Sequence, residues 1–124
     1  AVDNDIHSVE LTKRNIIVNK VVRHVKVYRS SGLTGNHLKC RAKYDLIVAN
    51  ILFNPIKSLM RSFIQNLSNS GFLILSGLTI KQGRQLKEIS KQFGLKVLVE
   101  RKEANWASLL LKKTVPKRAI KLSY

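Results

Sequence analysis

The sequence predicts a layered α/β fold in which buried strands alternate with amphipathic helices and an antiparallel strand closes the sheet. Tyr44 to Leu52 is a nearly continuous apolar run, typical of a parallel strand buried on both faces and therefore expected at the sheet's centre. Pro55 suits the first turn of a helix, and apolar residues recur at helical spacing from Ile56 to Leu67. The strands Leu95 to Glu100 and Ala107 to Leu111 are joined by a connection short enough for antiparallel pairing.

The first third of the chain predicts a strand end, a helix and a second strand. Ala1-Val2-Asp3 looks like the end of a buried strand, and Asp5 is a candidate cap for a helix over Ile6 to Val18. His24 to Arg29 alternates apolar and polar residues, which predicts a strand, and a loop then reaches about Lys43. These segments form the first part of the predicted alternation of strands and helices.

Turn residues and glycines set the later boundaries. Ser68 to Gly71 should end the helix that follows Pro55, and Phe72 to Leu75 should form another buried strand. A helix over Ile80 to Phe93 ends before Gly94. We therefore expect one domain over residues 1–113, followed by a basic C-terminal tail over residues 114–124 that is mobile from Val115 onwards.

Composition limits the kind of protein. The 124 residues are 44% hydrophobic, enough for one ordinary core, and no segment has the roughly 18 uninterrupted apolar residues of a spanning helix. The single cysteine, Cys40, excludes an internal disulfide and fits a reducing compartment, so we expect a cytoplasmic protein with no membrane attachment. The histidines His7, His24 and His37 are too scattered for a zinc site, so no metal is expected.

The chain is strongly basic. It has 23 Lys and Arg against 7 Asp and Glu, a net charge of +16 that favours anionic partners such as RNA or ribosomal surfaces. A basic face could be formed by Arg14, Lys20, Arg23, Lys26 and Arg29. A solvated surface explains the same residues, and aromatic residues are not interleaved with them as in sequence-reading RNA sites. Trp106, at the start of the last strand, is predicted to serve core or edge packing, and a stacking platform is the alternative.

Two polar residues end predicted strands. Asp3 can accept hydrogen bonds from both hydroxyls of a ribose, as in dinucleotide-binding folds, although helix capping is the commoner role. Asn50 interrupts an apolar run where open α/β sheets bind ligands. Its side-chain carbonyl, beside exposed backbone carbonyls, can accept hydrogen bonds from an amine and leave the nitrogen lone pair aimed at an electrophilic methyl group. A turn-forming asparagine is the alternative.

These motifs, in this order, resemble one family over about residues 1 to 113. VDNDI at Val2 to Ile6, YDLIVANIL at Tyr44 to Leu52 followed by Asn54-Pro55, GFLILSGL at Gly71 to Leu78, and Asn105-Trp106-Ala107 are similar to segments of the ribosomal protein L11 methyltransferase family. The family has a Rossmann-like class I fold and uses S-adenosylmethionine. Ile6 stands where that family usually has Pro, and Ser31 where it has Asp before Gly.

The resemblance implies roles for individual residues. Asp3 would bind the cofactor ribose, Ser31 and Gly32 would lie at the adenine, and Asn50 with the Ile51 backbone would orient the substrate amine. A serine hydroxyl supplies no negative charge, so we expect altered adenine recognition. The implied reaction is methylation of amino groups of protein L11, with ribosomal RNA near the basic surface. The alternatives are a relative acting on nucleic-acid amines and a non-catalytic remnant.

The resemblance also implies that the chain is only the C-terminal part of the family's catalytic domain. Family sheets have the spatial strand order 3-2-1-4-5-7-6, and this sequence matches the family from the end of strand 2 onwards. We therefore expect an incomplete sheet. It would lack the first strand, the Gly-x-Gly cofactor loop, the first helix and the N-terminal domain that recognises the ribosomal protein.

Overall fold

The computed structural model of the chain describes residues 1–33 and 43–114. The elements are β1 (Val2–Asp3), α1 (Ile6–Val18), β2 (Tyr28–Arg29), β3 (Tyr44–Asn50), α2 (Phe53–Asn66), β4 (Leu67–Thr79), α3 (Ile80–Gln92), β5 (Leu95–Glu103) and β6 (Trp106–Lys113). Strands and helices alternate from β1 to β2 and again from β3 to β5, and a pair of strands ends the series, as predicted. They belong to two units, Ala1–Arg41 and Ala42–Tyr124, called here the N-terminal unit and the C-terminal unit.

The N-terminal unit contains a short parallel strand pair and one helix. Strand β1 pairs with β2 so that Asp3 lies opposite Arg29. Helix α1 has the predicted bounds and the predicted Asp5 cap. The strand predicted over His24 to Arg29 is wrong in its first four residues, because the backbone N–H groups of His24 and Val25 both donate to the Val21 carbonyl, at 2.9 and 3.1 Å. This turn leaves only the last two residues for β2.

The cap of helix α1 gives a pH prediction. The Asp5 carboxylate accepts hydrogen bonds from the Ser8 side chain and the Ser8 and His7 backbone, and these bonds hold the pKa of Asp5 below its ordinary value, with the Ser8 side chain contributing most. A carboxyl group whose pKa is lowered by folding stabilises the fold above its unfolded pKa. That contribution is lost as the pH falls through the lowered value. We therefore expect the Ser8 amide resonance to titrate in acid with an apparent pKa below that of an unperturbed aspartate.

The variant Asp5→Asn is the control for this titration. Asparagine caps helices about as well as aspartate but carries no titrating carboxyl group, so α1 should persist at neutral pH while the titration of Ser8 disappears. Nuclear magnetic resonance would monitor both titrations. An apparent pKa of the wild-type Ser8 amide at or above that of an ordinary aspartate would show that the cap does not stabilise the charged form.

A four-stranded mixed sheet forms the C-terminal unit, in the order β3-β4-β6-β5. Strand β3 is parallel to β4, and β6 is antiparallel to both β4 and β5, so the predicted antiparallel closure is confirmed. Helices α2 and α3 contact each other and pack against this sheet. The buried core includes Ile47, Ile56, Met60, Phe63, Leu73, Leu75, Leu86, Leu109 and Leu111.

Strand β3 does not lie at the centre of this sheet, contrary to the prediction. It is the first strand in the order, and its side chains alternate between buried and exposed. Ile47 and Ala49 are buried, whereas Leu46 is 51% and Val48 62% exposed. The apolar sequence therefore provides two apolar faces, of which the C-terminal unit covers one.

The boundaries around α2 and β4 also differ from the prediction. Helix α2 begins at Phe53, so Pro55 lies in its first turn, as predicted, and β4 begins directly after it at Leu67. The residues Ser68 to Gly71, predicted as a break, are instead an irregular part of β4. The register between β3 and β4 shifts there, so that Tyr44 pairs with Leu67 and Leu46 with Phe72.

Helix α3 and the last strands agree with the prediction. Thr79 caps α3 in a capping box with Gln82, and Gly94, at φ +71°, follows the helix end. Among residues 1–33 and 43–114, none of the helices has the length and apolar content that a membrane span requires. The predicted tail from Val115 onwards lies outside the described residues, as do Cys40 and His37.

Candidate functional site

Asn50 is the last residue of β3 and lies opposite Ser76 of the parallel strand β4. Its side chain is exposed. Both strands therefore present their carboxyl ends beside Asn50, which is the edge at which open α/β sheets bind ligands. The alternation of β3 places Asn50 on the same face as Leu46 and Val48, away from the core formed with α2 and α3.

The backbone after Asn50 offers a second hydrogen-bond acceptor. Helix α2 makes its first backbone bond from Ile56 N–H to the Leu52 carbonyl, at 3.1 Å. The carbonyl of Ile51 precedes this bond, and the residue four positions later is Pro55, which has no N–H to donate. Proline in the first turn therefore denies the Ile51 carbonyl the helical partner that another residue would supply. Ile51 is itself 36% exposed.

Gly77 approaches both of these acceptors. A Cβ atom at Gly77 would lie 2.8 Å from Asn50 Oδ1 and 3.2 Å from the Ile51 carbonyl oxygen. Gly77 has φ +75°, a conformation that side chains disfavour. The register between β4 and β6 shifts between Leu75 and Leu78, so Gly77 lies in an irregular part of that pairing. Gly77 is absent from the predicted site residues, although a glycine inside a strand indicates a bulge or a close backbone approach.

A cleft of about 450 Å³ opens beside these residues within the C-terminal unit. It is lined by Asn50, Ser76, Gly77, Arg101, Glu103, Trp106, Ala107 and Ser108. Arg101 and Glu103 bring one charge of each sign. Trp106 is 59% exposed and forms part of the cleft wall, so core packing, one of the two packing roles predicted for it, is wrong. The hairpin β5–β6 thus contributes polar and aromatic groups that the sequence analysis did not assign to a site.

The N-terminal unit brings together the three residues assigned to the cofactor. Asp3 ends β1, and Ser31 and Gly32 follow β2 closely. The Ser30 N–H donates to the Asp3 carbonyl at 3.0 Å, which joins the carboxyl ends of these two strands. The exposed Asp3 carboxylate accepts a hydrogen bond from the Asp5 N–H through Oδ1, at 2.9 Å. The N-cap of α1 is Asp5, so the capping alternative for Asp3 is wrong, and Asp3 Oδ2 takes no part in the bond with Asp5.

The described residues contain no group of three or more His, Cys, Asp or Glu side chains that could hold a metal ion. The residues of the predicted basic face are all exposed in the N-terminal unit: Arg14, Lys20, Arg23, Lys26 and Arg29.

The parallel pair β3–β4, the antiparallel pair β5–β6 and the polar cleft at the carboxyl edge define a Rossmann-like class I methyltransferase fold. The order β3-β4-β6-β5 is the one predicted for strands 4, 5, 7 and 6. A solved structure of ribosomal protein L11 methylase from Lactobacillus delbrueckii subsp. bulgaricus has the same fold, with a TM-score of 0.83 and 22% sequence identity, over 93% of this chain and 57% of that one.

The particular family follows from the sequence comparison. The family model for ribosomal protein L11 methyltransferase (PrmA) matches residues 1–114. The chain belongs to this family, as the resemblance predicted.

Two curated relatives, both called ribosomal protein L11 methyltransferase, show how much of the family the chain covers. The protein from Bradyrhizobium diazoefficiens is 34% identical over 113 residues, which are 91% of this chain and 38% of that protein. The protein from Caulobacter sp. (strain K31) is 36% identical over 111 residues, 90% of this chain and 38% of that protein. The chain therefore spans about two fifths of the length of these relatives.

Proposed function

We propose that the chain is part of an S-adenosylmethionine-dependent methyltransferase that methylates amino groups of ribosomal protein L11 in the cytoplasm. Membership of the family supports this proposal. The observation that carries it is the pair of acceptors at the end of β3. The exposed Asn50 amide lies beside an Ile51 carbonyl to which Pro55 cannot donate. We call the two oxygens of Asn50 Oδ1 and Ile51 O the acceptor pair.

The acceptor pair suits an amine nucleophile. A neutral primary amine has two N–H donors and one lone pair, so two fixed acceptors hold its hydrogens and orient the lone pair. When bound, S-adenosylmethionine would supply an electrophilic methyl group for the nitrogen lone pair, and its sulfur would keep the electron pair of the broken bond. The nitrogen then releases a proton to water. Asn50 and Ile51 need only hold and align the amine, so no nucleophilic side chain is required.

Three residues of the N-terminal unit suit the nucleoside part of this cofactor. The Asp3 carboxylate would accept hydrogen bonds from the ribose hydroxyls, and Ser31 with Gly32 would lie at the adenine. The exposure of Asp3 at a strand end supports the ribose role. Ser31 supplies no charge, and we expect adenine recognition to differ from that of an aspartate at this position.

A chimera provides the test of the proposed function. Residues 1–114 of this chain would replace the matching segment of the Bradyrhizobium diazoefficiens relative, which supplies the remainder of the family's length. The purified chimera would be incubated with cofactor labelled in its methyl group, and with L11 or ribosomal RNA in separate reactions. Label in L11 amino groups is the expected result.

The same assay separates the alternatives. A methyltransferase acting on nucleic-acid amines is favoured by the exposed basic residues Arg14, Lys20, Arg23, Lys26 and Arg29. It would place the label in RNA, with an affinity that falls steeply as salt rises. Label in neither substrate, from a chimera that is folded, would indicate a remnant without catalytic activity.

The ribose assignment predicts a loss of cofactor affinity in Asp3→Ala. Removing a charged acceptor from a hydroxyl pair costs about 1 to 3 kcal/mol, or roughly 5- to 150-fold in affinity. Calorimetry with S-adenosylmethionine on the chimera would measure this change. Asp45→Ala removes the same group at the beginning of β3, in the C-terminal unit, and should bind normally. Equal affinities for both variants and the parent would remove Asp3 from the cofactor site.

A further inference from the structure

Gly77 lies close to the acceptor pair, but the proposed alignment of the amine uses only Asn50 and Ile51. The glycine belongs to β4, while Asn50 and Ile51 follow the body of β3, so the contact joins two parallel strands at their carboxyl ends. Real Cβ atoms essentially never lie within 3.0 Å of such an atom, yet a Cβ at Gly77 would lie 2.8 Å from Asn50 Oδ1. Any side chain at this position would therefore displace Asn50 or move β4.

The displacement would reach both oxygens. The same Cβ would lie 3.2 Å from the Ile51 carbonyl oxygen and 3.6 Å from its nitrogen. The Ile51 backbone is held on its C-terminal side by helix α2, which begins at Phe53. The Asn50 side chain is exposed and turns about two bonds, so it is the part that would move first.

We propose that Gly77 is a positioning residue for the substrate amine, an inference that rests on the proposed role of the acceptor pair. The missing side chain lets Asn50 Oδ1 and the Ile51 carbonyl lie where they can hold the same amine. Gly77 itself makes no polar contact with the amine. Its effect is on the geometry of two acceptors that belong to another strand.

The variant Gly77→Ala in the chimera should therefore lower kcat for methylation of L11 by about ten- to a hundredfold, the size expected from a misplacement of about 1 Å. The KM for S-adenosylmethionine should stay within about twofold, because an interaction used only to align the amine does not change cofactor binding. A merely structural role would lower the melting temperature and the active fraction, but the kcat per cofactor-binding site, with the sites counted by calorimetry, would then stay parental.

Gly94→Ala is the matched control. Gly94 also has a positive φ, +71°, but the nearest atom to its Cβ would be Thr114 Oγ1 at 3.7 Å, an ordinary contact. The backbone strain of the two substitutions is therefore similar, while only Gly77→Ala disturbs the acceptor pair. We expect Gly94→Ala to keep the parental kcat.

A double-mutant cycle with Asn50→Ala tests whether Gly77 acts through Asn50. If it does, Gly77→Ala should lower kcat by less than about threefold once the Asn50 side chain is gone. Full additivity would overturn the positioning role. A slow Asn50→Ala with a normal Gly77→Ala would overturn this inference alone, and a normal Asn50→Ala would overturn the acceptor role of Asn50 together with this inference. The absence of label in L11 from the parental chimera would overturn the proposed function.

Gly77→Asn keeps the test decisive if Gly77→Ala does not fold. Asparagine tolerates positive φ better than alanine but carries the same Cβ. A folded Gly77→Asn with low kcat and an unchanged cofactor KM would support the positioning role. Failure of both variants to fold, with Gly94→Ala folded, would overturn it by showing that Gly77 serves the fold.

Discussion

Replacing Asn50 with alanine in the chimera should lower the turnover of L11 methylation by one to three orders of magnitude, about 1.4 to 4 kcal/mol of transition-state stabilisation. The amide oxygen of Asn50 is one of two acceptors at the end of β3, and alanine leaves only the Ile51 carbonyl. An amine held by one acceptor can rotate, so its lone pair no longer points steadily at the methyl carbon. Affinity for S-adenosylmethionine should change little, because neither oxygen is assigned to the cofactor.

Single-turnover and steady-state measurements on the same preparation would separate alignment from binding. Asn69→Ala is the control, since Asn69 is an exposed asparagine in the irregular part of β4, which lies beside the beginning of β3, at the opposite end of that strand from Asn50. It should methylate L11 at the parental rate. A near-parental rate for Asn50→Ala would remove Asn50 from the mechanism.

The sequence identifies Asn50 as a candidate site residue, but it does not identify the residues that surround Asn50 in the fold. A polar amide at the end of the apolar run Tyr44 to Asn50 is a local signal, visible without tertiary structure. The approach of Gly77 to Asn50 depends on the register of β3 against β4, which a single sequence does not specify. Trp106 was assigned to packing because large aromatic residues usually pack, whereas its exposure depends on where the hairpin β5–β6 ends.

The sequence predicts the bounds and caps of the helices better than it predicts the burial and the neighbours of the strands. Helix α1 has its predicted bounds and cap, and α3 ends one residue before the predicted Phe93, because Asp5, Thr79 and Gly94 act through neighbouring backbone groups. The environment of β3 was not predicted. The apolar sequence of β3 shows that both of its faces can be buried. It does not show which other segments of the protein would cover those faces. The strand expected from His24 was shortened by a turn that its alternating pattern does not reveal.

The exposed apolar face of β3 predicts that the 124-residue chain, prepared alone, self-associates. In the described part of the chain β3 pairs only with β4, so its other edge offers unpaired backbone N–H and carbonyl groups. Leu46 and Val48 lie exposed beside that edge. A long apolar strand edge is a template for pairing with another chain. The charge of +16 opposes association, but at about 0.15 M salt charges more than about 8 Å apart are largely screened.

Sedimentation or light scattering over a concentration series at that ionic strength would measure the association. The double variant Leu46→Lys/Val48→Lys should raise the concentration at which half the chain is monomeric by about tenfold or more, corresponding to at least about 1.4 kcal/mol, because charged side chains along an edge strand oppose strand pairing. Leu11→Lys/Val18→Lys adds the same charge on helix α1, where both residues are also exposed, at 59% and 77%. If net charge alone governed association, the two double variants would behave alike. A monomeric parent chain at high concentration would show that the β3 edge is already protected.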